Sequence, residues 1–353
     1  MELKDIRKEI EDIDYRILEL SKRRLELAKM VGAEKVKDNS PVRNIEVENR
    51  VIDRYRGFAV ENGMNPDCAE TICMTLMQES IEAQAALSRE SASLKHIAII
   101  GGNGKMGHWF SELLTRSGHT VDVIDPSLNN GLTIDDCSKA DIVIVSIPIS
   151  HIGDILKKLD TICKESALIF DIASLKSPFI NTLRELGSRR KVCSIHPMFG
   201  PSAGSMYNRN LLICNCGNDD AVREAVMLLE NHGANMHTMN VEEHDVYMSY
   251  VLGLSHAVNI AFFTVLERSG ISFDDMRSVA STTYSKLMDT NVSVALEDPY
   301  LYYEIQHLNA SRDRMLNEFN RSVGDVVKAA QSDDPSAFKE LMDKGRIYFT
   351  EKD

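Results

Sequence analysis

The stretch that most constrains the fold is Ile97-Ala98-Ile99-Ile100-Gly101-Gly102-Asn103-Gly104-Lys105-Met106-Gly107. Four apolar residues read as a buried parallel strand, and the glycines that follow are spaced G-x-G-x-x-G. A helix-compatible run, His108 to Ser117, comes next. A second apolar strand, Thr120 to Ile124, then ends on Asp125. Gly102 permits the tight turn, and Gly104 lets a diphosphate approach bare backbone. Gly107 lets the helix sit close to the strand, with the helix N-terminus facing the phosphates. Asp125 stands where a carboxylate would bind a ribose 2′-hydroxyl and repel a 2′-phosphate, which favours NAD over NADP. A glycine turn between strand and helix is often only structural. The complete order of strand, glycines, helix, strand and acid favours dinucleotide binding.

Two further apolar strands, Asp141 to Pro148 and Ala167 to Asp171, alternate with helical stretches, the pattern of a doubly wound α/β domain. Ser177 followed by Pro178 predicts a helix start, with Ser177 as cap. Ser174 and Lys176 therefore lie just past a strand's carboxyl end, where ligands bind in such sheets. His196 falls in the loop Ser194-Ile195-His196-Pro197-Met198-Phe199-Gly200-Pro201. A lone histidine is more often structural, but its place in a Pro- and Gly-rich loop after a short strand leaves a functional reading level with that one.

Residues 1 to about 90 read as three helices. Leu3, Ile6, Ile10, Ile13, Ile17 and Leu20 make one apolar face of a long first helix, broken at Asn39-Ser40-Pro41. A second helix fits Ile45 to about Asn62, and a third Pro66 to about Ser88. Three helices of which one is very long close a core poorly, and an intertwined dimer is the natural remedy. Arg7, Arg24, Lys35, Glu48, Ser80 and Gln84 punctuate these helices. Spacing alone favours a solvated surface for them.

From about residue 241 onward the chain is again helical, with Val246 to Leu266, Phe273 to Leu287, Tyr300 to Asn320 and Pro335 to Phe349 as the expected helices. His244 begins this region and His256 lies mid-helix, where it reads equally as a core histidine. Ser88 to Ser93 is a short polar linker after the first helices. The length of 353 residues allows two or three domains. A net charge of −13 argues against a nucleic-acid partner. No apolar run approaches the ~20 residues of a membrane span. The N-terminus lacks the order of a signal peptide, so a cytoplasmic location is expected. Seven cysteines without a C-x-x-C pair read as reduced thiols rather than as disulfides or a zinc site.

Arg7, Arg24, Lys35, Glu48, Ser80 and Gln84, with Pro41-Val42-Arg43-Asn44-Ile45, resemble the active-site set of the all-helical chorismate mutases, in order and nearly in interval. Gly101–Gly107, Val145–Pro148, Asp171–Lys176, His196–Pro201 and Glu242–Asp245 resemble prephenate dehydrogenase. The fused order resembles the bifunctional chorismate mutase–prephenate dehydrogenases of bacterial tyrosine synthesis, and nearly the whole chain takes part. The resemblance implies a helical mutase domain over 1–90, a Rossmann-type NAD-binding domain over 95–240 and an all-helical dimerisation and substrate-binding domain over 241–353. It implies that Lys35 and Gln84 donate to the breaking ether oxygen of chorismate. Arg7 of a partner subunit, Arg24, Glu48 and Ser80 then hold that substrate. For prephenate it implies His196 as the base, Ser174 orienting it, and Lys176 and His244 as substrate contacts. Lys105, Met106, Ser146 and Pro148 join Gly102, Gly104, Gly107 and Asp125 around NAD. There are departures: Val47 and Asn44 stand where relatives carry arginine and aspartate, and Ser285 and Ser293 where relatives carry carboxylate-clamping arginines. Lys286, Arg277 or Lys176 are the cations left to replace the latter. The departures leave two alternatives, a nucleotide-responsive regulatory protein without the chemistry and a dehydrogenase that also takes arogenate.

Overall fold

The computed structural model describes residues 2–38, 40–88 and 94–350, so most of the expected polar linker and Asn39 of the first helix break lie outside the described residues. The chain divides into two compact units, one of residues 1–173 and 181–240, the other of 174–180 and 241–353. The N-terminal helices and the sheet share the first unit, whereas the Ser174–Ile180 segment groups with the C-terminal helices.

In the first unit, helices α1 (Leu3–Lys37), α2 (Ile45–Glu61) and α3 (Pro66–Ser88) follow the expected bounds closely. Asn44 caps α2 by accepting from the Val47 N–H at 3.1 Å. The apolar stripe of α1 faces outward along most of its length, and only Gly32 of this helix is buried. A small core joins Val42, Cys73, Met77 and Ile81 to Tyr207, which belongs to the α/β part of the chain.

That part is a seven-stranded sheet in the order β2-β1-β3-β4-β5-β6-β7. Its strands are β1 (His96–Ile100), β2 (Thr120–Ile124), β3 (Ile142–Val145), β4 (Leu168–Asp171), β5 (Val192–Pro197), β6 (Asn210–Asn215) and β7 (Asn235–Asn240). Helices α4 (Lys105–Arg116), α5 (Ile149–Ile162), α6 (Ile180–Gly187) and α7 (Asp219–Leu229) connect them. β1 to β5 run parallel, β6 is antiparallel to β5, and β7 is parallel to β6. Strands β1, β3 and β4 are almost wholly buried, as continuous apolar runs require, and pack with Phe110 and Leu114 of α4. The strand order reverses between β1 and β3, and that switch point opens the crevice for a ligand at their carboxyl ends.

Several expectations change in detail. The helix after the glycines begins at Lys105, not His108. His196 lies inside β5, opposite Leu212 of β6, not in the loop beyond it, because the antiparallel partner extends β5 to Pro197. Ser177 opens a short 3-10 turn, Ser177–Phe179, and its hydroxyl donates to Asp245, so it does not act as the cap. All seven cysteines are thiols, and all but Cys68 are buried.

In the second unit, α8 (Val241–Met248), a π-helical segment Ser249–Leu254 and α9 (Ser255–Arg268) run on as one helix. Gln306 donates to the Gly253 carbonyl at 2.7 Å within the π segment. This 28-residue stretch overturns the expectation that no apolar run reaches membrane length. It is long and apolar enough to cross a membrane, and little of its most apolar part is buried. The two longer expected helices that follow are each broken. They give α10 (Phe273–Ser278) and α11 (Thr282–Ala295), then α12 (Pro299–Leu308) and α13 (Arg312–Gln331), before α14 (Ser336–Thr350).

Candidate active sites

The glycine loop after β1 is held against the end of β3. The Ser146 N–H donates to Ile100 O, and Gly101 N–H to Ile124 O, both at 2.8 Å. The tight turn falls on Gly101, at φ +76°, where a Cβ would lie 2.1 Å from Ser146 O; it does not fall on Gly102 as expected. Gly107 permits the close helix–strand approach, since a Cβ there would stand 2.4 Å from Gly101 O. Gly104 sits at the N-cap of α4 with no side chain to occupy the first-turn N–H groups. Lys105 is exposed on that first turn, while Met106 packs against the core. Pro148 is the N-cap of α5, beside Ser146 at the end of β3.

Asp125 is preset. Its carboxylate accepts from the Ser127 hydroxyl at 2.6 Å, the Ser127 N–H at 2.9 Å and the Asn103 N–H at 3.2 Å. These bonds, the Ser127 hydroxyl foremost, hold it below the usual carboxylate range. Asn103, inside the glycine loop, also donates to Ser127 at 2.9 Å. A carboxylate has about four acceptor positions, so one remains for a sugar hydroxyl. The residues present fit a dinucleotide whose ribose keeps a free 2′-hydroxyl.

A second cluster forms between α1, α2 and α3. Arg24 donates to the Ser80 hydroxyl and to Leu76 O, and Ser80 in turn donates to Leu76 O at 2.8 Å. Lys35 donates to Val42 O. Burial pushes the Lys35 ammonium down, and the charge of Glu48 opposes that. Ser80 and Gln84 are buried. Gly32 lets α3 come close, since a Cβ there would lie 2.9 Å from Gln84 Cγ. Glu48 is paired with Arg43 through both oxygens. Val47 is exposed at 43%. Arg7 is exposed near the start of α1, 28 residues before Lys35, about 42 Å along one helix. The structure brings Arg24, Lys35, Glu48, Ser80 and Gln84 into one helical domain and leaves Arg7 far from Lys35.

His196 is 4% exposed on β5. The loop beyond it is fastened by Trp109, which donates to Ala203 O at 2.6 Å and lies 5.2 Å from the Phe199 ring. In the second unit the organiser is Asp245. Its carboxylate accepts the Lys176 N–H at 2.9 Å, the Ser177 N–H at 2.6 Å and His244 Nδ1 at 2.6 Å. Burial alone would raise its pKa, but the bonds from His244 and Ser177 outweigh that and hold it low. His244 and Lys176 are fully buried. His256 stacks on Tyr302 at 4.1 Å, and burial pushes its pKa down to about 4. Arg277, Tyr284, Ser285 and Asp289 line a cavity of about 470 Å³, whereas Ser293 donates to Asp289 O at 3.0 Å, and Lys286 is exposed.

Residues 6–85 match the family model of chorismate mutase type II. Residues 111–238 match the nucleotide-binding domain of prephenate dehydrogenase, and 240–344 its dimerization domain. The chain belongs to the fused chorismate mutase–prephenate dehydrogenases. The T-protein of Enterobacter agglomerans is 26% identical over 343 residues, 96% of this chain and 90% of that protein. The T-protein of Haemophilus influenzae is 25% identical over 98% of this chain and 92% of its own length. In fold, the chain is similar to prephenate dehydrogenase from A. aeolicus, solved with hydroxyphenyl propionate and NAD+. The TM-score there is 0.59 at 21% identity, over 74% of this chain and all of the other.

In this mutase–dehydrogenase, sequence reasoning missed four structural supports: Gly32, Arg43, Trp109 and Asp245. Asp245 had a local signal, a carboxylate directly after His244 in Glu242-Glu243-His244-Asp245, and Arg43 another, within Pro41–Ile45 and five residues before Glu48. The other bonds of Arg43, to Gly233 and Asn235, and the contacts of Gly32 and Trp109 are with residues distant in sequence.

Proposed function

We propose that the helical domain converts chorismate to prephenate and that the rest of the chain converts prephenate to 4-hydroxyphenylpyruvate with NAD, releasing carbon dioxide. One observation carries the reading. Arg24, Lys35, Glu48, Ser80 and Gln84 are gathered in one helical domain, and the glycine cradle with a preset Asp125 lies on the same chain. The product of the first step is the substrate of the second.

The rearrangement needs no covalent intermediate. It needs a dicarboxylate held in a compact conformer and charge stabilised on the breaking ether oxygen. Arg24, fixed by Ser80, suits a carboxylate, and Lys35 and Gln84 are the donors to the ether oxygen. Glu48 accepts from the ring hydroxyl. For the second step, bound NAD supplies a hydride acceptor. Gly104 and the first turn of α4 hold its phosphates, and Asp125 its ribose. His196 accepts the hydrogen bond, and then the proton, of the prephenate hydroxyl, which eases departure of hydride from that carbon. Ser174, Lys176 and His244 are assigned to the substrate, with Lys176 supplying positive potential for a dianion.

The active species is a cytoplasmic homodimer with no nucleic-acid or membrane partner. The outward apolar stripe of α1 and the 42 Å between Arg7 and Lys35 support the homodimer, since a second copy covers the one and spans the other. The apolar α8–α9 helix lies within the dimerization-domain match, which favours cover by a second copy over a membrane. Mixing protein, chorismate and NAD tests the whole reading. NADH absorbance should rise, and no rise with chorismate, or with prephenate supplied directly, sinks it.

A further inference from the structure

Arg43 joins two parts of the chain that carry different chemistry. Its Nε donates to Glu48 Oε1 at 2.9 Å and its Nη2 to Glu48 Oε2. Its Nη1 donates to Gly233 O and to Asn235 Oδ1, both at 2.8 Å. The guanidinium carbon lies 5.3 Å from the centre of the Tyr207 ring. Its side chain and that of Glu48 are only 14% and 13% exposed, so water competes little for these bonds. One planar group thus gives one edge to the start of α2 and the other to the turn that leads into β7.

Glu48 sits where its charge is felt by Lys35. A carboxylate near a half-buried ammonium is drawn into an ion pair with it. Such a pair would cancel the charge that Lys35 must present to the ether oxygen. The two-pronged grip of Arg43 holds Glu48 out of that pair and leaves lone pairs for the substrate hydroxyl. We infer that Arg43 is a positioning residue for the mutase. It sets Glu48 by anchoring it to the Gly233–Asn235 turn of the nucleotide-binding domain, so that mutase turnover depends on a domain that does none of its chemistry. This rests on the proposed role of the Lys35–Glu48 site.

The test uses the full-length protein with Arg43→Ala, Arg43→Lys, Asn235→Ala and the Arg43→Ala/Asn235→Ala pair. Lys35→Ala runs alongside, and every variant is also assayed as a dehydrogenase on supplied prephenate. For Arg43→Ala, mutase kcat should fall roughly 10–100-fold with KM changed less than about threefold, because transition-state stabilisation is what is lost. Arg43→Lys should restore little, since an ammonium cannot serve both edges. Asn235→Ala, remote from the mutase helices in sequence, should lower mutase kcat roughly 2–5-fold with an unchanged melting temperature, and the pair should be no worse than Arg43→Ala alone. Prephenate oxidation should stay within about twofold of wild type in all four. Should Arg43→Ala fail to fold, Arg43→Lys and Asn235→Ala decide alone. Wild-type mutase kcat in Arg43→Ala, or in both Arg43→Lys and Asn235→Ala, overturns the inference, as does full additivity in the pair. If Lys35→Ala also keeps wild-type turnover, the site reading itself has failed and takes this inference with it.

Discussion

Asp125 shows how much a single residue decides. Three donors hold its carboxylate ionised and aimed at the glycine loop. Asp125→Ala removes both the sugar acceptor and the charge that repels a 2′-phosphate. The NAD-to-NADP preference, as a ratio of kcat/KM, should narrow by roughly 10-fold or more. Wild-type protein that uses NADP as well as NAD would overturn the assignment. His196 carries a second expectation. Only a neutral imidazole accepts the substrate's proton, so dehydrogenase turnover should fall on the acid side. His196→Asn should lose roughly 10²–10⁴ in turnover, together with that acid limb, and retain mutase activity. Unchanged turnover in this variant would return His196 to a structural role. Their placement near the carboxyl ends of strands was legible: Asp125 follows the last residue of β2, and His196 is the penultimate residue of β5. Which of two adjacent glycines takes the positive φ was not, because Gly101 and Gly102 are alike until β3 is in place. Nor were the bonds of Arg43 to Gly233 and Asn235, about 190 residues away.

Among the elements, α1 to α3 were legible nearly to the residue. Pro41, Asn62-Gly63 and Pro66 punctuate them, and the apolar spacing is uninterrupted between. The later helices were not, because their breaks contain neither glycine nor proline. Ser281 caps α11 by accepting from the Tyr284 N–H at 3.1 Å, and Asn309 ends α12 by donating to Asp245 O at 2.9 Å, a tertiary bond. β7 was hidden because its residues alternate little and are mostly half-buried or exposed. The close passage of α1 against α3 depends on Gly32. Gly32→Val should force Gln84 aside and cut mutase turnover by roughly 10²-fold, as a misplaced donor does, with prephenate oxidation intact. Equal loss of both activities would mean general unfolding instead. α9 carries an acid-sensitive group. His256 has a folded pKa near 4, below its unfolded value, so the unfolded chain binds the extra proton between those limits. Stability should be unaffected above about pH 6.5 and decline as pH falls toward 4, by up to about 3 kcal/mol. His256→Phe keeps a ring against Tyr302 and should flatten that decline in urea titrations at successive pH values. An unchanged slope would contradict the neutral, buried state.

At the scale of the whole molecule, one geometric fact bears on the assembly. One continuous helix from Leu3 to Lys37 sets Arg7 and Lys35 about 42 Å apart along its axis. A site that uses both then takes them from two chains. The outward stripe of Leu3, Ile6, Ile10, Ile13 and Ile17 is the surface such a pairing would cover. The consequence can be measured without a structure of the dimer. Arg7→Ala and Lys35→Ala should each be poor mutases, since every site in either homodimer lacks one cation. Unfolded together and refolded as a mixture, half the dimers should be mixed. Each mixed dimer then holds one site with both cations and one with neither. Mutase activity should recover to about a quarter of wild type, while neither variant refolded alone recovers any. If Arg7 served its own chain, each mixed dimer would carry only singly damaged sites, and mixing would restore nothing. That outcome would leave α1 paired for stability alone and remove Arg7 from the site.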